Sequence, residues 1–183
     1  MDSRDARWEK LSQYQEKRGW QAERPAGEGG GGRRPPERGP GSEGNPPRPT
    51  RRLPNGYLEG GYFDENGNLR PELLLQQARE VAEAIGDRKS IAYSQLRRFY
   101  EHVRAAENRM NYGASFEAVR PSLLELAAFA AAAQGRGKAP EVFRQFIERN
   151  LENLNREKDF RKGFVKHFQA VVGYFVYKYG DKN

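Results

Sequence analysis

The stretch Phe160–Tyr179 reads FRKGFVKHFQAVVGYFVYKY. Its apolar residues Phe160, Phe164, Phe168, Val171, Val172, Phe175 and Tyr179 recur every three or four positions. Such spacing gathers them on one face of a helix that turns about 100° per residue. Gly180 follows as a stop signal. The opposite face carries Lys162 and Lys166 beside Gly163, Ala170 and Gly173. A basic row next to small residues lets a bulky partner approach the backbone, either a phosphate chain or another subunit's helix. Charged residues opposite an apolar stripe are equally what any solvated surface helix shows.

Working outward, four further helices are expected from period and punctuation. The first spans about residues 71–85, with Pro71 in its first turn and Gly86 beyond its end. Leu74, Leu75, Ala78, Val81, Ala82 and Ile85 form its inward stripe. The second follows Ser94 as N-cap and runs to about Met110. The third starts near Pro121 and ends at Gly135. The fourth starts near Pro140 and turns Phe143, Phe146, Ile147, Leu151 and Leu154 inward. No alternating strand pattern competes, so the fold class is all-α: a compact five-helix bundle over residues 57–183.

Residues 1–56 differ in kind. They include Gly29 to Gly32, Arg33-Arg34-Pro35-Pro36 and Pro46-Pro47, with hardly an apolar side chain after residue 20. Such a segment buries too little to offset the entropy of ordering, and is expected to be a disordered, basic Gly/Pro/Arg-rich extension. It serves either as a loose RNA-binding arm or as a solubilising tail. Trp8, Leu11 and Tyr14 mark one face of a short helix that is marginal alone.

The 183 residues carry a net charge of +7, and the mean hydropathy is −0.99. A basic balance suits a polyanionic partner without requiring one. The absence of cysteine excludes disulfides, thiol nucleophiles and thiolate metal sites. No apolar run approaches the roughly 18 residues of a membrane span, and the N-terminus lacks a signal-peptide core. A soluble cytoplasmic protein with no membrane partner is expected.

Catalytic patterns fail. His102 and His167 have no partner at metal spacing and read as packing or surface. The formal GxGxxG at residues 27–32 lacks a preceding strand. Asp64 to Asn68 begins like a calcium loop, but Leu69 and Leu75 stand where glycine and glutamate are required, so it reads as a turn. Neither enzymatic activity, a metal nor a cofactor is expected.

The basic residues of the helices are sorted. On the second helix, SQLRRFYEHVR at 94–104, Arg97 and Arg104 share one flank of the buried face. Arg98, His102 and Arg109 share the other. The loop Gln134-Gly135-Arg136-Gly137-Lys138 either offers N–H groups and two cations to a phosphate or is a helix stop.

The order GGYFDENGNLRPELL at 60–74, QLRRFYEHV at 95–103, PSLLELAAFAAAAQGR at 121–136 and FVKHFQAVVGYF at 164–175 resembles the small helical subunit of the type III-A CRISPR effector, the Csm complex. The resemblance covers residues 60 to 180 and implies a non-catalytic helical bundle. Copies would stack along the guide RNA–target RNA duplex, beside other effector subunits that do the cleavage. It carries sequence-independent RNA contact over to Arg97, Arg98 and Arg136. Arg104, Lys138, Lys162 and Lys166 join them on helix geometry alone. A salt bridge within the bundle, for instance to Glu101, is the competing role for Arg97 or Arg98. The alternative for the whole chain is a protein–protein adaptor that docks through its fifth helix without touching nucleic acid. A DNA-binding module ranks lower, because no helix–turn–helix spacing appears.

Overall fold

The computed structural model describes residues 51–86 and 89–180. The helix expected around Trp8, Leu11 and Tyr14 and residues 1–50 of the extension expected over 1–56 lie outside the described residues, whereas within residues 51–56 Arg51 bonds the Ile85 carbonyl and Leu53 packs against the core. Helices dominate the rest: α1 (Pro71–Leu74), α2 (Gln76–Ile85), α3 (Tyr93–Asn111), α4 (Phe116–Gly135), α5 (Glu141–Glu152), a π-helical turn (Asp159–Phe164) and α6 (Val165–Tyr179). With α1 and α2 counted as one bent helix, and the π turn as the start of the last, five helices are present among the described residues. The only β pairing among these residues is the isolated bridge Phe63–Leu69.

The aromatic stripe forms the centre of the core. Phe160, Phe164, Phe168, Val171 and Phe175 are fully buried, while Val172 and Tyr179 are half-buried. α6 packs against α1, α2 and α3, and α4 packs against α3 and α5. Rings interlock across these seams: Phe146 meets Phe168 at 5.1 Å, Phe99 meets Phe143 at 4.9 Å and Tyr100 meets Phe168 at 5.6 Å. Edge-to-face pairs of this kind add to the burial of large side chains, which is the main stabilising term.

Four boundaries differ from the sequence reading, each for a local reason. The first helix breaks at Leu75, whose φ of −107° and ψ of −87° leave the helical range. The break turns Leu75 outward, 61% exposed, and half-exposes Leu74. α3 begins one residue before Ser94, so Ser94 lies inside the first turn and Ala92 stands at the cap without a side-chain bond. α4 begins at Phe116, because the Ser115 hydroxyl accepts the Ala118 N–H at 3.2 Å. Pro121 then falls within the helix, on its exposed side. The last helix starts as a π turn, where buried Asp159 accepts the N–H groups of Asn155 and Arg156.

Residues 54–70 cross the bundle as a strap of turns. The Asp64–Asn68 segment is the expected turn: Gly67 N–H donates to Asp64 O at 2.9 Å, and Asn68 N–H to Asp64 Oδ1 at 2.8 Å. Tyr57 and Tyr62 anchor the strap with buried rings. Tyr62 lies against Gly163, where an added Cβ would sit 2.5 Å from its ring.

A buried polar chain ties strap to helices. The Leu73 carbonyl accepts from His167 Nδ1 at 2.6 Å, which makes Nδ1 the protonated nitrogen. Nε2 therefore accepts from the Tyr57 hydroxyl, also at 2.6 Å. Tyr57 oxygen in turn accepts from Asn150 Nδ2 at 2.8 Å, and Asn150 Oδ1 accepts from Tyr62 at 2.9 Å. Every member has its partner, as burial demands. Upstream, Arg51 donates to the Ile85 carbonyl at 3.2 Å and to Ser90 Oγ at 2.6 Å. A cation thus closes the negative end of α2.

Candidate nucleic-acid interface

The seven cations chosen from sequence fall into three places. α3 and α6 run antiparallel, since Arg161 beside the start of α6 donates to Asn111 at the end of α3, at 2.6 Å, and Tyr100 meets Phe168 midway. By helix period Arg97 and Arg104 share one row of α3, and Lys162 and Lys166 one row that runs into α6. Glu107 and Lys162 line a common cleft with Glu157, Lys158 and Arg161. Arg104 is ion-paired to Glu107, so it stands over the same cleft. Lys166 follows one turn after Lys162, both exposed.

The anions of this flank are engaged locally. Arg97 Nε bonds Glu101 Oε1 at 2.8 Å, with both side chains more than half exposed. Arg161 pairs with Glu157 at 3.0 Å. Exposed pairs are worth about 0–1 kcal/mol, so an arriving phosphate can exchange with such a carboxylate at little cost. Lys162 and Lys166 make no ion pair among the described residues. Lys158 and Arg161 were not selected from sequence: Lys158 precedes the helix expected from Phe160, and Arg161, at about 100° per residue, falls within its apolar sector rather than beside Lys162 and Lys166. Lys158 is partly committed, since it donates to Gly67 O at 2.7 Å and lies 4.3 Å from the Phe63 ring centroid.

Arg98 lies on the other flank, towards α4. Its neighbour there, His102, donates from Nε2 to the Ser122 carbonyl at 2.9 Å. Arg98 is exposed and makes no ion pair among the described residues. The two arginines adjacent in sequence therefore point to different sides of the bundle.

Arg136 and Lys138 occupy the α4–α5 turn, at the end of the bundle where α3 begins. The loop is a helix stop. The N–H groups of residues 136, 137 and 138 donate to the carbonyls of Ala132, Gln134 and Ala133 at 3.2, 2.8 and 2.9 Å. Gly137 takes a φ of 65° to close it. Those N–H groups are thus not offered to a phosphate, and the carbonyl end of a helix repels one. The side chains of Arg136 and Lys138 are both exposed.

The small-residue row of α6 also changes. Gly163 is covered by Tyr62 and belongs to the core, whereas an added Cβ at Gly173 would meet nothing within 4 Å. No group of three or more His, Cys, Asp or Glu side chains fit to hold a metal occurs among the described residues. Among them, no helix is long and apolar enough to cross a membrane.

The family model for Csm2 Type III-A matches residues 68–181. The chain belongs to the Csm2 family. No curated protein and no solved structure matches it. Membership makes the chain a structural subunit of the type III-A CRISPR effector complex, assembled with other subunits. The Csm2 match spans all the helices described here and all seven chosen cations. Tyr57 and Tyr62, which pin the strap, lie ahead of it.

Proposed function

We propose that this Csm2 chain is a non-catalytic RNA-holding subunit. It stacks with further copies along the guide RNA–target RNA duplex of a cytoplasmic ribonucleoprotein and stabilises bound target. The observation that carries this reading is the exposed lysine pair Lys162 and Lys166, continuous with Arg97 and Arg104 across the α3–α6 seam. Cations on such a flank meet sugar-phosphate oxygens and read no bases, which suits a subunit that serves any guide. One copy supplies a few contacts, and repetition along a filament turns them into firm binding.

The test is a salt series of target-RNA binding by the assembled complex. Each phosphate contact contributes a slope of roughly 0.7–0.9 in log affinity against log salt. The double reversal Lys162→Glu with Lys166→Glu is expected to flatten the slope by about two contacts per copy. An unchanged slope with unchanged assembly would instead favour the adaptor role. The apolar outward face of α6 at Ala170, Gly173, Tyr174 and Tyr177 is what speaks for that second reading.

A further inference from the structure

The exposed side of α6 does not stay basic along its length. Lys162, Lys166, Ala170, Gly173 and Tyr177 follow one another at spacings of four, four, three and four, which places them in a single row. Beyond Lys166 the row becomes apolar. Ala170, Gly173, Tyr174 and Tyr177 line an open groove. Tyr177 is 87% exposed, and neither its hydroxyl nor that of Tyr174 has a hydrogen-bond partner among the described residues. Gly173 gives the groove a bare floor at which a flat ring can lie against the helix. Seven residues separate Lys166 from Gly173, about 10 Å along the axis.

We infer that this groove is a stacking shelf for an unpaired nucleobase, whose neighbouring phosphates reach Lys166 and Lys162. The inference rests on the RNA reading above and adds a contact that is not ionic. Charge complementarity selects the occupant. A wholly apolar partner would leave two unpaired cations at the head of the groove unused. A single-stranded nucleotide brings a flat apolar face and an anion linked at short range, and an aromatic platform beside a basic track is how such strands are held without sequence choice.

The experiment uses the full-length chain and two probes of equal length: fluorescein-labelled oligoadenylate RNA, and the same ribose-phosphate backbone without bases. Tyr177→Ala is expected to weaken oligoadenylate binding about tenfold while leaving the salt slope as it was. Tyr177→Phe keeps the ring and is expected to restore binding. The abasic probe is expected to bind Tyr177→Ala and the parent chain alike. Gly173→Leu fills the floor and serves as the second variant, with the same expected pattern. Equal binding of oligoadenylate by the parent and both variants overturns the shelf, and so does an equal loss on both probes. A salt slope still present and sensitive to Lys162→Glu in that case shows that only the shelf has failed. No binding of either probe by the parent chain overturns the shelf, whereas the RNA reading stands or falls by the salt series on the assembled complex. Sedimentation without RNA covers the remaining occupant: self-association abolished by Tyr177→Ala assigns the groove to a second copy and overturns the proposal.

Discussion

His167 shows how one buried side chain can set the acid limit of the fold. It has no solvent exposure, and burial pushes its pKa down to about 4, against the partial offset of its bond to the Leu73 carbonyl. The folded state therefore prefers the neutral ring, while the unfolded chain takes up its proton near the ordinary value of about 6.5. The contribution to stability is fully present above pH 6.5. It is lost as pH falls from there towards 4, because the unfolded state then binds the proton and the folded state does not. A gap of that size corresponds to about 3 kcal/mol by proton linkage. Protonated Nε2 also ceases to accept from Tyr57, so the hydroxyl proton loses its acceptor. Urea unfolding of the full chain at steps between pH 8 and pH 4 is expected to show this decline. In His167→Asn the decline over the same range should shrink; an equal decline would assign the acid sensitivity to other groups. From sequence, His167 reads only as packing or surface; its partners, Tyr57 of the strap and Leu73 of α1, lie 110 and 94 positions away, which no local pattern reveals.

At the scale of elements, period was readable and boundaries were not. The stripe of the last helix predicted which faces are buried because apolar area must leave water whatever the detail of the backbone. Its starting geometry was hidden. At the π turn Asp159 holds two N–H groups and the Tyr62 ring lies against Gly163, contacts that depend on neighbouring segments. Proline misled at Pro121, since Ser115 caps a helix that already starts at Phe116, five residues before the expected start. Leu75 looked like one more stripe residue, yet the chain bends there and turns it out. The two glycines of the last helix test this account. At Gly163 a methyl group would strike the Tyr62 ring, so Gly163→Ala is expected to cost about 1–3 kcal/mol through overpacking. At Gly173 nothing stands in the way, and Gly173→Ala is expected to gain about 0.5–1 kcal/mol from the lower entropy of the unfolded chain. Chemical denaturation of both variants reads the contrast. Equal effects of one sign would mean that the strap does not seat on the π turn.

At the scale of the molecule, the sequence separated basic from apolar faces on each helix but did not show which basic faces meet. Helix geometry predicted the Arg97/Arg104 and Lys162/Lys166 rows separately. Only the antiparallel packing of α3 on α6 joins them into one flank. The same packing separates Arg97 from Arg98, which stand about 100° apart around α3, one on the α6 side and one towards α4. If RNA lies along the α3–α6 flank, the two adjacent arginines must behave differently. Arg97→Glu places an anion, beside Glu101, where phosphate is to approach. Replacing an attraction of about 1 kcal/mol by a repulsion of like size is expected to weaken target-RNA binding by the assembled complex about thirtyfold at low salt, with the difference shrinking as salt is raised. Arg98→Glu is expected to stay within about twofold at the higher salt, because Arg98 points to the α4 side and a surface charge is then screened over about 8–10 Å. Binding titrations of the two reconstituted complexes at two salt concentrations decide the matter. Equal losses would mean that RNA wraps both sides of α3. A loss confined to Arg98→Glu would move the RNA path to the α4 side, and the lysine pair on α6 would then be left to another subunit.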